Sequence, residues 1–194
     1  CPGQHLARVE QAVGVGFAQT QFKGGWPYQP PPDGHFNTFA VGGITLGVYQ
    51  NLMEPSLADY IWASGEYEGM LAESFSFDED NDYVVTLKDG VTWSDGTPLS
   101  ADDVITTFNV LYLLGSPIWA SVEGLERVDD RTVKFVLSDP SPAAERQILT
   151  QYIRPNSVYG DIGARAATLR EESTVAGDEG FDSLLTELTE FRPE

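Results

Sequence analysis

The chain has 194 residues, 11 of them basic and 30 acidic, for a formal net charge of −19. That balance, with no cluster of lysines or arginines anywhere, excludes general binding to nucleic acid, whose phosphates require basic patches, and adhesion to an anionic membrane surface. A hydrophobic content of 41% supplies a real core, enough for one domain of ordinary size or two small lobes, and no apolar run reaches the roughly eighteen residues that a membrane-spanning helix needs.

The charge is unevenly placed. Residues 1–50 hold two basic and two acidic residues, and the remaining nine basic and twenty-eight acidic residues carry the whole −19. A single cysteine, Cys1, makes neither an internal disulfide nor, with only His5 and His35 for company, a structural zinc site. Its position at the start reads either as the lipidation site of a lipoprotein whose signal peptide has been removed or as an arbitrary boundary of the sequence.

Residues 6–13 read as a short helix or a lead-in, and residues 13–23 as a loosely alternating strand. The stretch from Gly24 to Gly34 is a loop, since three successive prolines favour an extended left-handed helix and Asp33-Gly34 a turn. Ile44, Val48 and Leu52 then form one helical stripe over 44–53. Phe75 and Phe77 alternate with polar neighbours, the DEDND run at 78–82 is a turn, and Tyr83, Val85 and Leu87 share one face of a second strand that Val91 and Trp93 continue. Asp89-Gly90 and Asp95-Gly96 mark further turns. Ser100 is a helix N-cap with Asp103 as its capping-box partner, Val104, Phe108 and Leu111 supply the buried face, and Gly115-Ser116-Pro117 stops the helix. A second hairpin turns at Asp129-Asp130-Arg131, with Val133, Phe135 and Leu137 alternating after it. Residues 143–153 read as a helix and 164–174 as polar surface. The final helix runs from about Phe181 to Thr189, with Leu184, Leu185 and Leu188 on its apolar face. Hairpins with helices packed against them make the fold class α+β.

No enzyme motif emerges. There is no HExxH, GxSxG or P-loop, the Gly14-Val15-Gly16 pair lacks the rest of a dinucleotide fingerprint, and the acidic run 78–82 lacks the spacing of a calcium loop. A binding protein needs less: a cleft, flat aromatic faces and a few polar groups. The candidate ligand-binding residues are Trp26, Tyr28, His35, Phe36, Asn37, Trp119 and Tyr152, because Trp and Tyr rings stack on sugars or pack on peptide side chains and an amide bonds a ligand carbonyl or hydroxyl. Trp119, in the loop after Pro117, is either a packed plug or a ligand platform. Trp93 and Phe108 read as core.

The run from Tyr83 to Val104, YVVTLKDGVTWSDGTPLSADDV, followed by Phe108, resembles the signature of the family 5 extracellular solute-binding proteins of bacterial ABC transporters, the peptide, nickel and oligosaccharide receptors. Leu71-Ala72-Glu73-Ser74 before it and Val128–Leu137 after it resemble the family's flanking stretches. Phe36-Asn37 resembles its early loop, with Thr38 standing where the family usually has proline. The resemblance covers residues 35–160 well and the tail more loosely. It implies a type II periplasmic-binding-protein-like fold, of which this sequence matches the N-terminal portion. Residues 1–50 would begin lobe I with a ligand-facing Gly/Pro loop, 51–160 would form the family's extra α+β subdomain with two hairpins, and 161–194 would be a surface segment and a helix returning toward lobe I, ahead of the second lobe. It further implies capture rather than catalysis, outside the cytoplasm. A peptide, or alternatively an oligosaccharide, would be closed between two lobes and delivered to a membrane permease; the remaining alternative is a protein-interaction domain with no part in transport. No cofactor is expected, because the transporter's own subunits hydrolyse ATP. Membrane attachment would run only through a lipid on Cys1.

Overall fold

The structure, a computed structural model, describes residues 34–40 and 54–193. By its contacts the chain divides into two units, Cys1–Pro30 and Pro31–Glu194, and every described residue belongs to the second. Cys1, Trp26 and Tyr28, and the elements expected over 6–13, 13–23 and 44–53, lie outside the described residues.

A two-stranded hairpin comes first, β1 (Ala58–Ile61) and β2 (Glu66–Gly69). Nothing in the sequence announced it. β3 (Ala72–Phe77) and β4 (Tyr83–Leu87) follow as the first expected hairpin, and β5 (Val122–Arg127) and β6 (Thr132–Leu137) as the second. They join into one antiparallel sheet in the order β3-β4-β6-β5. Register places Tyr83 opposite Phe135 and Val85 opposite Val133, so the inward faces of the two central strands coincide. Tyr83, Val85, Leu87, Val133 and Phe135 are all fully buried.

Helix α1 (Ala101–Leu113) lies on that face. Val104 and Phe108 pack into the sheet, with the Phe108 and Phe135 rings edge to face at 4.8 Å. The other side of α1 carries Val110 and Leu113 into a second cluster, formed with Tyr159, Ile162 and Ala166 of α3 (Asn156–Glu171) and Phe181, Leu184 and Leu188 of α4 (Glu179–Glu190). A helix covered on both sides must satisfy its polar residues internally. Thr107 does so by donating to the Asp103 carbonyl at 2.8 Å and accepting the Arg154 amide at 2.9 Å, and Thr106 by donating to the Asn156 side chain at 2.6 Å.

Several expectations are corrected. The segment 164–174 is not merely polar surface: most of it is the second half of α3, with Ala166 fully buried. Its apolar signal is faint because small residues do the packing. A Cβ on Gly163 would stand 2.9 Å from Thr106 Cγ2 and 3.1 Å from its Cα, so α1 and α3 approach more closely than any larger residue allows. Helix α3 runs unbroken through residue 160. The helix expected over 143–153 is α2 (Pro142–Leu149), and Tyr152 lies beyond it, bridged to Ser56. Residues 91–93 do not continue a strand; Thr92 makes a single bridge to Pro98.

The 78–82 turn closes through the Asp78 amide to the Asp82 carbonyl at 2.8 Å, with Asn81 at a φ of 65°. Its acids surround the Lys134 ammonium, which stands 2.8 Å from Asp82 and 3.0 Å from Asp78. Hydrogen bonds to Asp82 and Asp78 raise the Lys134 pKa, and the bond to Lys134 holds Asp78 below the ordinary carboxylate range. A depressed acid stabilises the fold above its unfolded pKa and loses that contribution as pH falls through the folded value; a raised lysine stabilises below its unfolded pKa and loses it as pH rises through the folded value. Lys134→Met should therefore lower the melting temperature at neutral pH. The gap from wild type should shrink below about pH 4 and again above about pH 10, as read by thermal melts across that range. A gap independent of pH would show that only the lysine's packing matters.

Candidate functional site

The candidate site is built around segment 34–40 and the chain between α2 and α3. Arg154, just before the α3 start, is 4% exposed. Its guanidinium reaches Glu54 at 3.1 Å, the Thr38 hydroxyl at 3.1 Å and the Tyr152 carbonyl at 2.9 Å, and it lies over the Phe39 ring at 4.2 Å. Thr38 in turn donates to Glu54. A charge in this setting is tolerated because each nitrogen of the guanidinium has an oxygen partner. Burial lowers the Arg154 pKa against the opposing pull of Glu54. The Tyr159 phenol is pushed up to about 12, first by burial and then by Glu54.

In front of this network is a cavity of about 200 Å³, lined by Phe36, Thr38, Glu54, Trp93, Tyr159 and Pro193 among others. Beside it a groove of about 240 Å³ runs along Pro55, Leu71, Val91 and Leu99. Trp93 lines both. Because Glu54 is matched by Arg154, the walls present aromatic faces and hydroxyls with little net charge. Such a surface suits a neutral ligand held by stacking and a few hydrogen bonds.

The structure sorts the sequence candidates. Phe36 is 61% exposed and lines the cavity. His35 beside it is half-buried, with its Nδ1 buried and unpartnered. Asn37 is fully buried, and its amide group donates to the Leu188 and Phe191 carbonyls at 2.5 and 3.1 Å, tying the loop to the end of α4, where helix carbonyls lack partners of their own. Tyr152 joins the group through its backbone, by way of Arg154. Trp119 is not brought to them. It sits on a 3₁₀ turn (Pro117–Ala120), donates its indole N–H to the Phe108 carbonyl at 3.0 Å, and is flanked by Tyr112 and by Arg170 at 4.9 Å.

Trp93 is the site residue the sequence did not reveal. Strand alternation placed it in the core, yet it is only half-buried, between two openings. The available signal was the pair of flanking turns, Asp89-Gly90 and Asp95-Gly96, where Gly90 and Gly96 take φ of 71° and 87°. A residue between two left-handed turns is poorly placed to extend a strand.

The model of the bacterial extracellular solute-binding proteins, family 5 middle region, matches residues 66–178. The chain belongs to that family. It is 36% identical over 101 residues to the Probable D,D-dipeptide-binding periplasmic protein DdpA of Escherichia coli, across 50% of this chain and 19% of that protein. The crystal structure of a mannohexaose-bound periplasmic oligopeptide-binding protein of an oligopeptide ABC transporter from Thermotoga maritima superposes with a TM-score of 0.53 and 34% identity, over 62% of this chain and 23% of that one. The oligopeptide-binding protein AppA of Bacillus subtilis, in complex with a nonapeptide, superposes with a TM-score of 0.51 and 26% identity, over 63% of this chain and 25% of that one. The chain thus spans about a fifth to a quarter of the length of these relatives. The mixed α+β class read from the sequence agrees with these matches.

Proposed function

We propose that this chain is part of the substrate-binding component of an ABC importer, which captures an oligopeptide outside the cytoplasm and delivers it to a membrane permease. The observation that carries the reading is the Phe36–Trp93–Tyr159 cavity, an aromatic wall whose one buried carboxylate is already neutralised by Arg154. Such a wall grips side chains and backbone rather than a charged terminus. Binding peptide is what the DdpA and AppA names describe for those relatives. The work is capture, not catalysis: closure follows from contacts that are stronger in the closed state than in the open one, and micromolar affinity needs only about −8 kcal/mol. An oligosaccharide is the second reading, favoured by the mannohexaose in the Thermotoga protein and by the flat aromatic surfaces here.

Native mass spectrometry of the full-length protein, followed by calorimetry with whatever compound it carries, separates the two. Phe36→Ala tests the wall. The side chain is exposed, so the melting temperature should hold while affinity for the carried compound falls about 5- to 30-fold, equivalent to an aromatic contact of about 1–2 kcal/mol. Unchanged affinity would remove Phe36 from the site.

A further inference from the structure

We infer that the β1–β2 hairpin and α2 form a second, separate binding surface, at which Tyr60, Trp62 and Arg146 hold a saccharide bearing a carboxylate. Trp62, in the β1–β2 turn, is 77% exposed, unusual for the residue with the most apolar surface to hide. Its ring meets Tyr60 edge to face at 5.0 Å and 87°, so the two make a corner rather than a stack. The Arg146 guanidinium, on α2, caps that corner, 5.3 Å from the Trp62 ring and 5.6 Å from the Tyr60 ring. The rings fix the guanidinium's position without using its N–H donors.

Those donors have no oxygen partner among the described residues. Among the described residues every other arginine guanidinium has an oxygen partner, whether a carboxylate or a carbonyl. Arg146 has none, in a chain with 30 acidic residues. The acid next to it in sequence, Glu145, is engaged by the Tyr83 hydroxyl at 2.9 Å. Register keeps the hairpin's other acids away. Tyr60 pairs with Tyr67, so these share one face, while Asp59 paired with Glu68, and Glu66 opposite Ile61, occupy the other. A positioned planar fork with unspent donors is the complement of a carboxylate.

The rest of the ligand follows from shape. None of the cavities described above is lined by these residues. An open indole face needs none to take a pyranose ring, whose C–H face rests on the electron-rich ring surface. The net charge of −19 does not forbid an anionic ligand, because repulsion from acids farther than about 8–10 Å is screened at physiological salt.

The probe is tri-galacturonate, titrated into the chain at low ionic strength and followed by the Trp62 indole and Arg146 side-chain N–H resonances. Both should shift together and saturate with a Kd below about 1 mM, equivalent to only about −4 kcal/mol. Arg146→Gln and Trp62→Ala, both at exposed positions, should each weaken binding at least about tenfold with the melting temperature preserved. A neutral galactotriose should bind at least about tenfold more weakly than the acid, and so should triglutamate. Equal binding of the neutral sugar would overturn the carboxylate, and equal or tighter binding of triglutamate would overturn the saccharide. No saturable shift up to about 10 mM, or binding indifferent to both variants, would overturn the surface itself. None of these outcomes bears on the Phe36–Trp93 cavity, whose test is separate.

Discussion

Arg154→Met is expected to cost the fold about 3–5 kcal/mol, the range seen when one partner of a buried ion pair is removed. The loss comes less from the missing attraction than from what stays behind. Glu54, whose side chain is only 12% exposed, loses its ion-pair partner, while the Thr38 hydroxyl still donates to it. The Tyr152 carbonyl and the Thr38 oxygen also lose a donor. With a urea slope of about 2 kcal/mol/M, the denaturation midpoint should fall by about 1.5–2.5 M. Adding Glu54→Gln should return part of the loss, because it removes the carboxylate that Arg154 balances, and the double variant should be more stable than the sum of the two single losses predicts. Additive losses would mean that the pair is not coupled. The consequence for the site is direct. Segment 34–40 is fastened by two devices, Arg154 to Thr38 and Asn37 to the end of α4. Without the first, Phe36 loses the anchor two residues away that sets its place at the cavity mouth.

The parts of this arrangement differ in how plainly the sequence announced them. The β3–β4 and β5–β6 hairpins and α1 were legible because their information is local. Alternation at Tyr83, Val85 and Leu87, aspartate-rich turns, and Ser100 with Asp103 each act within a few residues. That the two hairpins would pair through β4 and β6 was not local, yet both inward faces were already set by alternation. The β1–β2 hairpin went unread because its inner face carries tyrosines and an alanine, and its outer face acids, with a turn, Trp62-Ala63-Ser64-Gly65, of no strong type. Helix α3 was masked by Gly160 and Gly163, which weaken helical propensity and supply no apolar stripe, although the second is what lets the helix seat against Thr106.

The candidate site was half legible for the same reason. Aromatic residues in a Gly/Pro-rich loop pointed to Phe36, and composition alone pointed to it equally with Trp119, which the fold spends on packing against Tyr112 and Arg170. Asn37 was singled out for its hydrogen-bonding capacity. Its partners, more than 150 residues away in the chain, are backbone carbonyls that no side-chain pattern can show. Glu54 and Arg154 lie 100 positions apart in otherwise unremarked stretches, and only their burial together reveals them.

The second large effect concerns Asp103. Its carboxylate is 3% exposed and accepts from both ends at once, the Ser100 amide at 2.7 Å on one oxygen and the Asn156 amide at 2.6 Å on the other. One side chain therefore caps the first turns of two helices, α1 and α3, and places a negative charge at the positive ends of both dipoles. Capping-box logic foresaw the first bond. The second arises because α3 begins beside the start of α1. Asp103→Ala should strand two amides away from water at about 1–3 kcal/mol each, for a total of about 3–4 kcal/mol. Asp103→Asn keeps one acceptor oxygen and turns an N–H toward the other donor, so about half the loss should remain. Amide hydrogen exchange distinguishes this double cap from general loosening. In Asp103→Ala the Ser100 and Asn156 amides should lose protection together, while the sheet amides of Val85 and Phe135 lose only what the global destabilisation accounts for. Ser100→Ala retains the backbone bond from Ser100 to Asp103 and should leave Asn156 protected. If Asn156 exchanged no faster in Asp103→Ala than in Ser100→Ala, the two helix starts would be independent, and the strut from Tyr152 to Asn156 that carries Arg154 into the site would be held by its bonds to Thr107, Thr106 and Ser56 rather than by Asp103.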